Sequence, residues 1–404
     1  MNNTKTKASP SPKVEVVEEK RAPYSPIRPH QLGIRFYGPV NRVSGLGVPC
    51  RGLIRGLQER KFHTEVVCVN EGFEHQSIEP IEWINSKNCS GRDVISIVHL
   101  NADAIPQYWP KYGKEWEKSC YRIGVWSWEL AAFRPDWINE ITRFNEIWNS
   151  SRFMNTAIQA CTNVPVIRMP PAIQLPKPGT NRASIRRQFK IPRDAFTFLY
   201  MFDASSFLER KNPLCLLNAF IHEFSEMEDA ALVIKMAYTG TNEDVLKEIK
   251  NLCQSRKNII LIRDILDPES LSSLLASADC YVSPHRVEGF GLSIIEAMML
   301  KVPVIATGYS GSNDFVTPAT AFPIDYSLIE IENNVGPYLN GYVWADPKET
   351  HLRELMRTVY KGEGQVQKKV NAAYELVTQN YSLEAVANRL AHRIEEIIKI
   401  TSAG

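Results

Sequence analysis

At 404 residues the chain is long for one hydrophobic core, since single cores stop growing at roughly 250–300 residues, and two domains are expected. Hydrophobic residues at 44% and charged residues at 23% exclude wholesale disorder, and a net charge of +2 excludes the strongly basic surface of a nucleic-acid binder. The eight cysteines stand singly with no C-x-x-C pair, so neither a zinc site, a redox motif nor a disulfide framework is indicated, and a reducing cytoplasm is the expected compartment.

Residues 1–30 are rich in Lys, Ser, Pro and Glu, lack the apolar segment of a signal peptide, and read as a disordered leader. No apolar run reaches the ~18–20 residues that span a bilayer, so any membrane contact is expected to be peripheral, at the inner face of the cytoplasmic membrane. LGIRFYGPV (32–40) reads as a strand, 42–60 as a Gly-rich turn feeding a helix, and HTEVVCV (63–69) as a strand. VISIVHLNAD (94–103), YRIGVWSW (121–128) and NEIWNSS (145–151) continue the series. Apolar runs without alternation suit parallel strands buried on both faces, and the helical stretches between them give an α/β doubly wound domain over 31–175. Residues 169–189 hold four prolines and a basic run and read as the linker. A second α/β series over 176–381 follows with FTFLYMFD (196–203), ALVIKMA (231–237), NIILIRD (258–264), CYVSPH (280–285) and VPVIAT (302–307). The last helix, 382–404, spaces Leu383, Val386, Leu390, Ile394 and Ile397 along one apolar face that must pack on something.

Three segments carry candidate chemistry. In HRVEGFGLSIIEAMMLKVPVIATGYSG (285–311), Glu288 precedes Gly289, Phe290 and Gly291, and Glu296 lies more than a turn inside the helix that starts near Leu292. Glycines there let backbone approach a ligand, the helix N-terminus offers N–H groups to an anion, and the two carboxylates could grip hydroxyls at two ends of one extended ligand. An ordinary glycine turn flanked by two solvated glutamates accounts for the same residues. In FDASSFLERKNPLCLLNAF (202–220), Arg210 and Lys211 stand before a helix, where cations oppose the helix dipole unless something negative is bound. In NRVSGLGVPCRGL (41–53), Gly45 and Gly47 form a G-x-G before a helix, with Cys50 where a dinucleotide fingerprint has its third glycine. His99 and Glu129 end apolar runs of the first domain, at the strand edge where ligands meet α/β sheets. Trp126 and Trp128 are core residues or sugar-stacking ones.

EGFGLSIIEAM sets Glu288 and Glu296 in the E-x7-E arrangement of retaining glycosyltransferases of the GT-B fold, and the chain resembles glycosyltransferase family 4 (glycosyl transferases group 1) over roughly 32–400. The resemblance implies two Rossmann-like domains facing across a cleft, the first for acceptor and the second for donor, with the last helix crossing back to the first domain. It implies that Glu296 holds the donor ribose, and that Glu288 contacts the sugar. The backbone at Gly289, Phe290, Gly291 and Leu292 would face the diphosphate or sugar, and Gly45 and Gly47 would approach the phosphates from the other domain. Lys211 matches the family lysine that binds the diphosphate, with Arg210 beside it; the family arginine six residues earlier is Ser205 here, and its usual histidine is replaced in the stretch Trp126–Glu129. His99 and Glu129 are weak acceptor-side candidates. Asn313 and Asp314 replace the family's Gly-rich loop ending in an acid. No two aspartates are two positions apart, so no D-x-D motif holds a metal on the diphosphate, and no metal or other cofactor is expected. The implied partners are a nucleotide diphosphate sugar, GDP-mannose or a UDP-hexose by family habit, and a glycan or lipid-linked acceptor in surface polysaccharide biosynthesis. The competing readings are a non-catalytic nucleotide-sugar-binding protein and a glycan phosphorylase of the same fold with a lysine-bound pyridoxal phosphate.

Overall fold

The computed structural model describes residues 22–42, 45–69, 84–224, 226–227, 229–237 and 242–402. The chain opens with β1 (Leu32–Gly38), α1 (Gly47–Glu59), β2 (Thr64–Cys68), β3 (Asp93–Val98), α2 (Ile105–Glu117), β4 (Tyr121–Val125), α3 (Ile138–Ile141), β5 (Glu146–Asn149), α4 (Arg152–Gln159) and β6 (Val166–Arg168). These six strands form one parallel sheet in the order β2-β1-β3-β4-β5-β6. After α5 (Arg182–Gln188) come β7 (Phe196–Asp203), α6 (Leu208–Lys211), α7 (Pro213–Phe224), β8 (Ala230–Ala237), α8 (Glu243–Gln254), β9 (Ile259–Ile262), α9 (Pro268–Ala276), β10 (Cys280–Ser283), α10 (Leu292–Met299), β11 (Val304–Thr307) and β12 (Phe322–Ile324). They form a second parallel sheet in the order β12-β11-β10-β7-β8-β9. An antiparallel hairpin, β13 (Tyr326–Glu330) with β14 (Val343–Pro347), precedes α11 (Glu349–Tyr360), α12 (Val366–Tyr381) and α13 (Leu383–Ser402).

Both sheets reverse strand order at their first strand, which opens a crevice at their C-terminal edges for a ligand. Both faces of the sheets are covered: β4 and β5 are buried at every position, as such strands must be, and the polar Glu146 and Asn149 are buried with the rest. Helix α13 crosses back as expected. Its Val386, Leu390, Ile394 and Ile397 are buried in one core with Leu53, Ile54 and Leu57 of α1. Polar anchoring supports that seam. Glu146 is fully buried and accepts from Trp148 Nε1 at 2.6 Å and Tyr121 Oη at 3.1 Å, and Arg393 of α13 completes its shell at 3.2 Å.

Two expectations need correction, and some elements went unforeseen. The leader does not extend to residue 30 as a loose segment. Ile27 is 2% exposed, Asn145 donates to the Ala22 carbonyl at 2.6 Å, and Arg28 forms two 2.8 Å bonds with Asp93; residues 1–21 lie outside the described residues. The linker 169–189 contains α5, whose Asn181 side chain caps it by accepting from Ser184 N at 2.9 Å and whose Arg186 is buried among the carbonyls of 192, 193 and 195. The hairpin β13–β14 was not foreseen, nor were the three-residue strands β6 and β12.

Candidate active site

Strand β7 delivers the chain to the crevice at Asp203, whose carboxylate accepts from Ser205 N at 2.8 Å and from Ser205 Oγ at 2.6 Å. Ser205, where the family has an arginine, is thus a turn-forming residue. The single turn α6 then ends at Arg210 and Lys211, and Asn212, in the left-handed region at φ +53°, breaks the chain before α7. This corrects the helix-start reading: both cations occupy the last turn of α6, the end of a helix where positive charge is favoured.

Strand β10 delivers Glu288 opposite them. Lys211 Nζ pairs with one oxygen of its carboxylate and Arg210 Nη1 lies 3.3 Å from the other, with all three side chains only 10–14% exposed. Arg210 is locked besides by donating from Nε to the Ser206 carbonyl at 2.7 Å, while its own carbonyl accepts from Arg286 N at 2.7 Å. Burial alone would raise the Glu288 carboxyl, but Lys211 and Arg210 outweigh it and hold it at about 2. Burial and the neighbouring Arg210 push the Lys211 ammonium below the ordinary lysine range.

The loop bearing Glu288 is fixed by a close crossing. Ser310 Oγ accepts from Glu288 N at 2.9 Å, and Gly311 N donates to the Glu288 carbonyl at 2.8 Å. A Cβ on Gly311 would stand 1.8 Å from the Gly289 carbonyl oxygen, so no other residue fits. His285, fully buried, contacts Ser283 Oγ at 3.0 Å and Ser312 Oγ at 3.2 Å, and burial lowers it to about 4, so it stays neutral and ties the two loops together. Gly291 then adopts φ +92° to start α10, leaving the first N–H groups of that helix free of a side-chain cap. Phe290 sits below, its ring 5.5 Å from both Phe315 and Tyr381, and Leu292 is partly buried in the same core. Glu296, on α10, accepts no hydrogen bond from any described residue, and burial raises its carboxyl to about 7. An acceptor so desolvated and unpaired is prepared for hydroxyl donors from outside the protein.

Across the crevice, the first domain contributes Glu129. Its Cγ is 3.7 Å from where a Cβ on Gly289 would stand, and it acts on Arg210 and Lys211 electrostatically. The acceptor-side candidates therefore separate. His99 is only 3% exposed, with Nδ1 3.1 Å from Cys50 Sγ, and burial lowers it to about 4, so it is a neutral residue packed under α1. Trp126 and Trp128 are core residues, 2% and 1% exposed. Gly45 is exposed and Gly47 begins α1, while residues 43 and 44 of their loop lie outside the described residues.

Sequence reasoning left Asp314 without a role and missed Tyr338 and Lys235. Asp314 is a bond between domains, forming an ion pair with Arg168 of β6, Nε to Oδ2 at 3.0 Å, and accepting from Arg152 N at the start of α4 at 3.2 Å. Lys235, 6% exposed on β8, makes no hydrogen bond to a described residue and lies between the charges of Asp203 and Asp264 at the strand edge. A lysine inside the apolar run ALVIKMA was the available signal for it. Among the described residues no group of three His, Cys, Asp or Glu side chains is placed to hold a metal, and no described helix is long and apolar enough to cross a membrane.

Residues 181–376, which contain the Lys211–Glu288 pair and Glu296, match the family described as glycosyl transferases group 1. They form a group 1 glycosyltransferase domain. The chain is 33% identical over 122 residues to the O-antigen chain mannosyltransferase B of Escherichia coli. It is 29% identical over 133 residues to a GDP-mannose-dependent monoacylated phosphatidylinositol monomannoside mannosyltransferase of Corynebacterium glutamicum. These matches cover 30% and 31% of this chain, and only 32% and 34% of those relatives. The GT-B fold extends beyond the group 1 domain. HepE of Anabaena, solved with UDP and glucose, superposes with a TM-score of 0.64 at 13% identity, covering 90% of this chain and 99% of that one. Sucrose-phosphate synthase of Thermosynechococcus elongatus does so with 0.65 at 14% identity, covering 91% and 100%.

Proposed function

We propose that the protein is a retaining, metal-independent glycosyltransferase that moves a hexose from a nucleotide diphosphate sugar to a glycan or lipid-linked acceptor. The observation that carries this reading is the meeting of Arg210, Lys211 and Glu288 at the C-terminal edge of the second sheet, with Glu296 unpaired one helix turn beyond the uncapped start of α10. In this reading the ribose hydroxyls donate to Glu296. The diphosphate lies over the N-terminus of α10 and beside Lys211, whose charge stabilises it as it departs. Glu288 holds Lys211 and Arg210 and contacts sugar hydroxyls. The acceptor hydroxyl enters past Glu129, attacks the anomeric carbon on the face the diphosphate leaves, and gives its proton to the leaving phosphate. No side chain then acts as a covalent nucleophile. The named activities of the two mannosyltransferase relatives favour a GDP-mannose donor, with a UDP-hexose second, and a surface-polysaccharide or lipid-linked acceptor. Cations rather than a divalent metal neutralise the diphosphate.

The test is a thermal-shift screen of GDP-mannose, UDP-glucose, UDP-galactose and UDP-N-acetylglucosamine, followed by donor hydrolysis and transfer assays with the ligand that shifts most. Binding with neither hydrolysis nor transfer would leave a non-catalytic nucleotide-sugar binder. Phosphorolysis of a glycan, with absorbance from a pyridoxal group, would replace transfer by the phosphorylase activity.

A further inference from the structure

The loop of the hairpin β13–β14 is wedged between the two domains. Val335 and Tyr338 exchange backbone hydrogen bonds of 2.9 and 3.0 Å, which folds the tip around Gly336. On one side Gly336, at φ +56°, lies so close to the Phe207 ring that a Cβ would stand 2.1 Å from it. On the other, Arg134 of the first domain donates to the Pro337 carbonyl at 2.9 Å. Tyr338 is thereby driven inward until it is 2% exposed, its ring 5.8 Å from Trp128 of the first domain and 5.7 Å from Phe207 of the second. Trp128, against which its ring packs, is followed directly by Glu129, and the hydroxyl is coupled electrostatically to the Glu129 carboxylate and the Arg210 guanidinium. A buried phenol takes a hydrogen-bond partner, and burial keeps this one protonated, well above the ordinary tyrosine range.

We propose that Tyr338 is a positioning residue that donates to Glu129 and fixes this carboxylate of the first domain against the Arg210–Lys211–Glu288 cluster. The acceptor hydroxyl then meets an oriented carboxylate only while the hairpin is seated between the domains. This rests on the transferase reading above, in which Glu129 borders the acceptor path. It assigns to the hairpin a part in catalysis that nothing in its exposed strand β13 announces.

Tyr338→Phe keeps the ring and removes only the donor. With the full-length chain and the donor selected by the screen, kcat should fall about tenfold, the loss expected for one hydrogen bond to a charged group, while donor affinity stays at the wild-type value. Glu129→Ala should also lower kcat. The double variant should be no slower than Glu129→Ala alone, because Tyr338 acts through that carboxylate. A Tyr338→Phe enzyme with wild-type kcat, or losses that multiply in the double variant, would overturn the assignment. If the wild type transfers from no donor, the functional reading fails by itself. The crystal structure of Tyr338→Phe then decides: a Glu129 carboxylate turned away from Arg210 supports the positioning role, and an unmoved one refutes it.

Discussion

Glu288 and Glu296 stand eight residues apart and titrate in opposite directions, which gives each its own pH window. Glu296 has a folded value near 7 against an ordinary 4.5, so its contribution to stability is complete below pH 4.5 and is lost as pH rises toward 7. Glu288, held near 2, contributes above pH 4.5 and loses that contribution as pH falls. Glu296→Gln should therefore flatten the decline in stability between pH 4.5 and 7, worth on the order of 3 kcal/mol, in urea unfolding of the ligand-free protein. A decline of unchanged depth would mean that the carboxyl is not desolvated. Glu296→Ala should weaken nucleotide binding at least roughly tenfold by calorimetry, since hydrogen bonds to a charged group are worth about 1.5–3 kcal/mol each. Lys211→Ala should lower turnover about a hundredfold, with a smaller loss of donor affinity, because its charge is needed most when the diphosphate departs. Arg210→Ala is the comparison. Near-wild-type turnover in both variants would remove the pair from the chemistry. These residues were legible because type and spacing alone, E-x7-E and an adjacent basic pair, expose them. Tyr338 and Asp314 were not, since they meet residues about 150–210 positions away in sequence, Arg168 and Arg152 for Asp314 and Trp128 for Tyr338.

At the scale of elements, what the sequence revealed depended on burial. Strands β4, β5, β7 and β8 are buried on both faces and stood out as largely apolar runs, and β7 was placed residue for residue. Strand β13 is mostly exposed and so carries no apolar face to notice, while β6 and β12 are too short for any period to show. The crossing of the Ser310–Asp314 turn over the Glu288 loop likewise left only glycines as a trace. Gly311→Ala should disrupt it, since the added carbon meets the Gly289 carbonyl at 1.8 Å. The expected result is loss of nucleotide-induced thermal stabilisation, with a lowered melting temperature. A variant that still binds nucleotide normally would show that the loop has room to move. Asp314→Ala should cost about 2 kcal/mol, because it leaves Arg168 without its counter-charge and the N–H at the start of α4 without its acceptor. Equal stability of the variant by denaturant titration would mean that the interdomain bond is neutral.

Across the whole molecule, the proposed function has Lys211, Arg210 and the start of α10 neutralise the diphosphate in place of a metal. Transfer should persist in EDTA, and activity that vanishes on chelation and returns with magnesium or manganese would refute this. The placement of α13 bears on how the protein is made. The first domain's core is closed by Val386, Leu390, Ile394 and Ile397, and its buried Glu146 pairs with Arg393. A ribosome delivers those residues only after the second domain. Until then the nascent first domain shows the apolar side of α1 and an unneutralised carboxylate. The second domain thus has every residue of its own core available first, reversing the usual order in which N-terminal domains finish ahead of C-terminal ones.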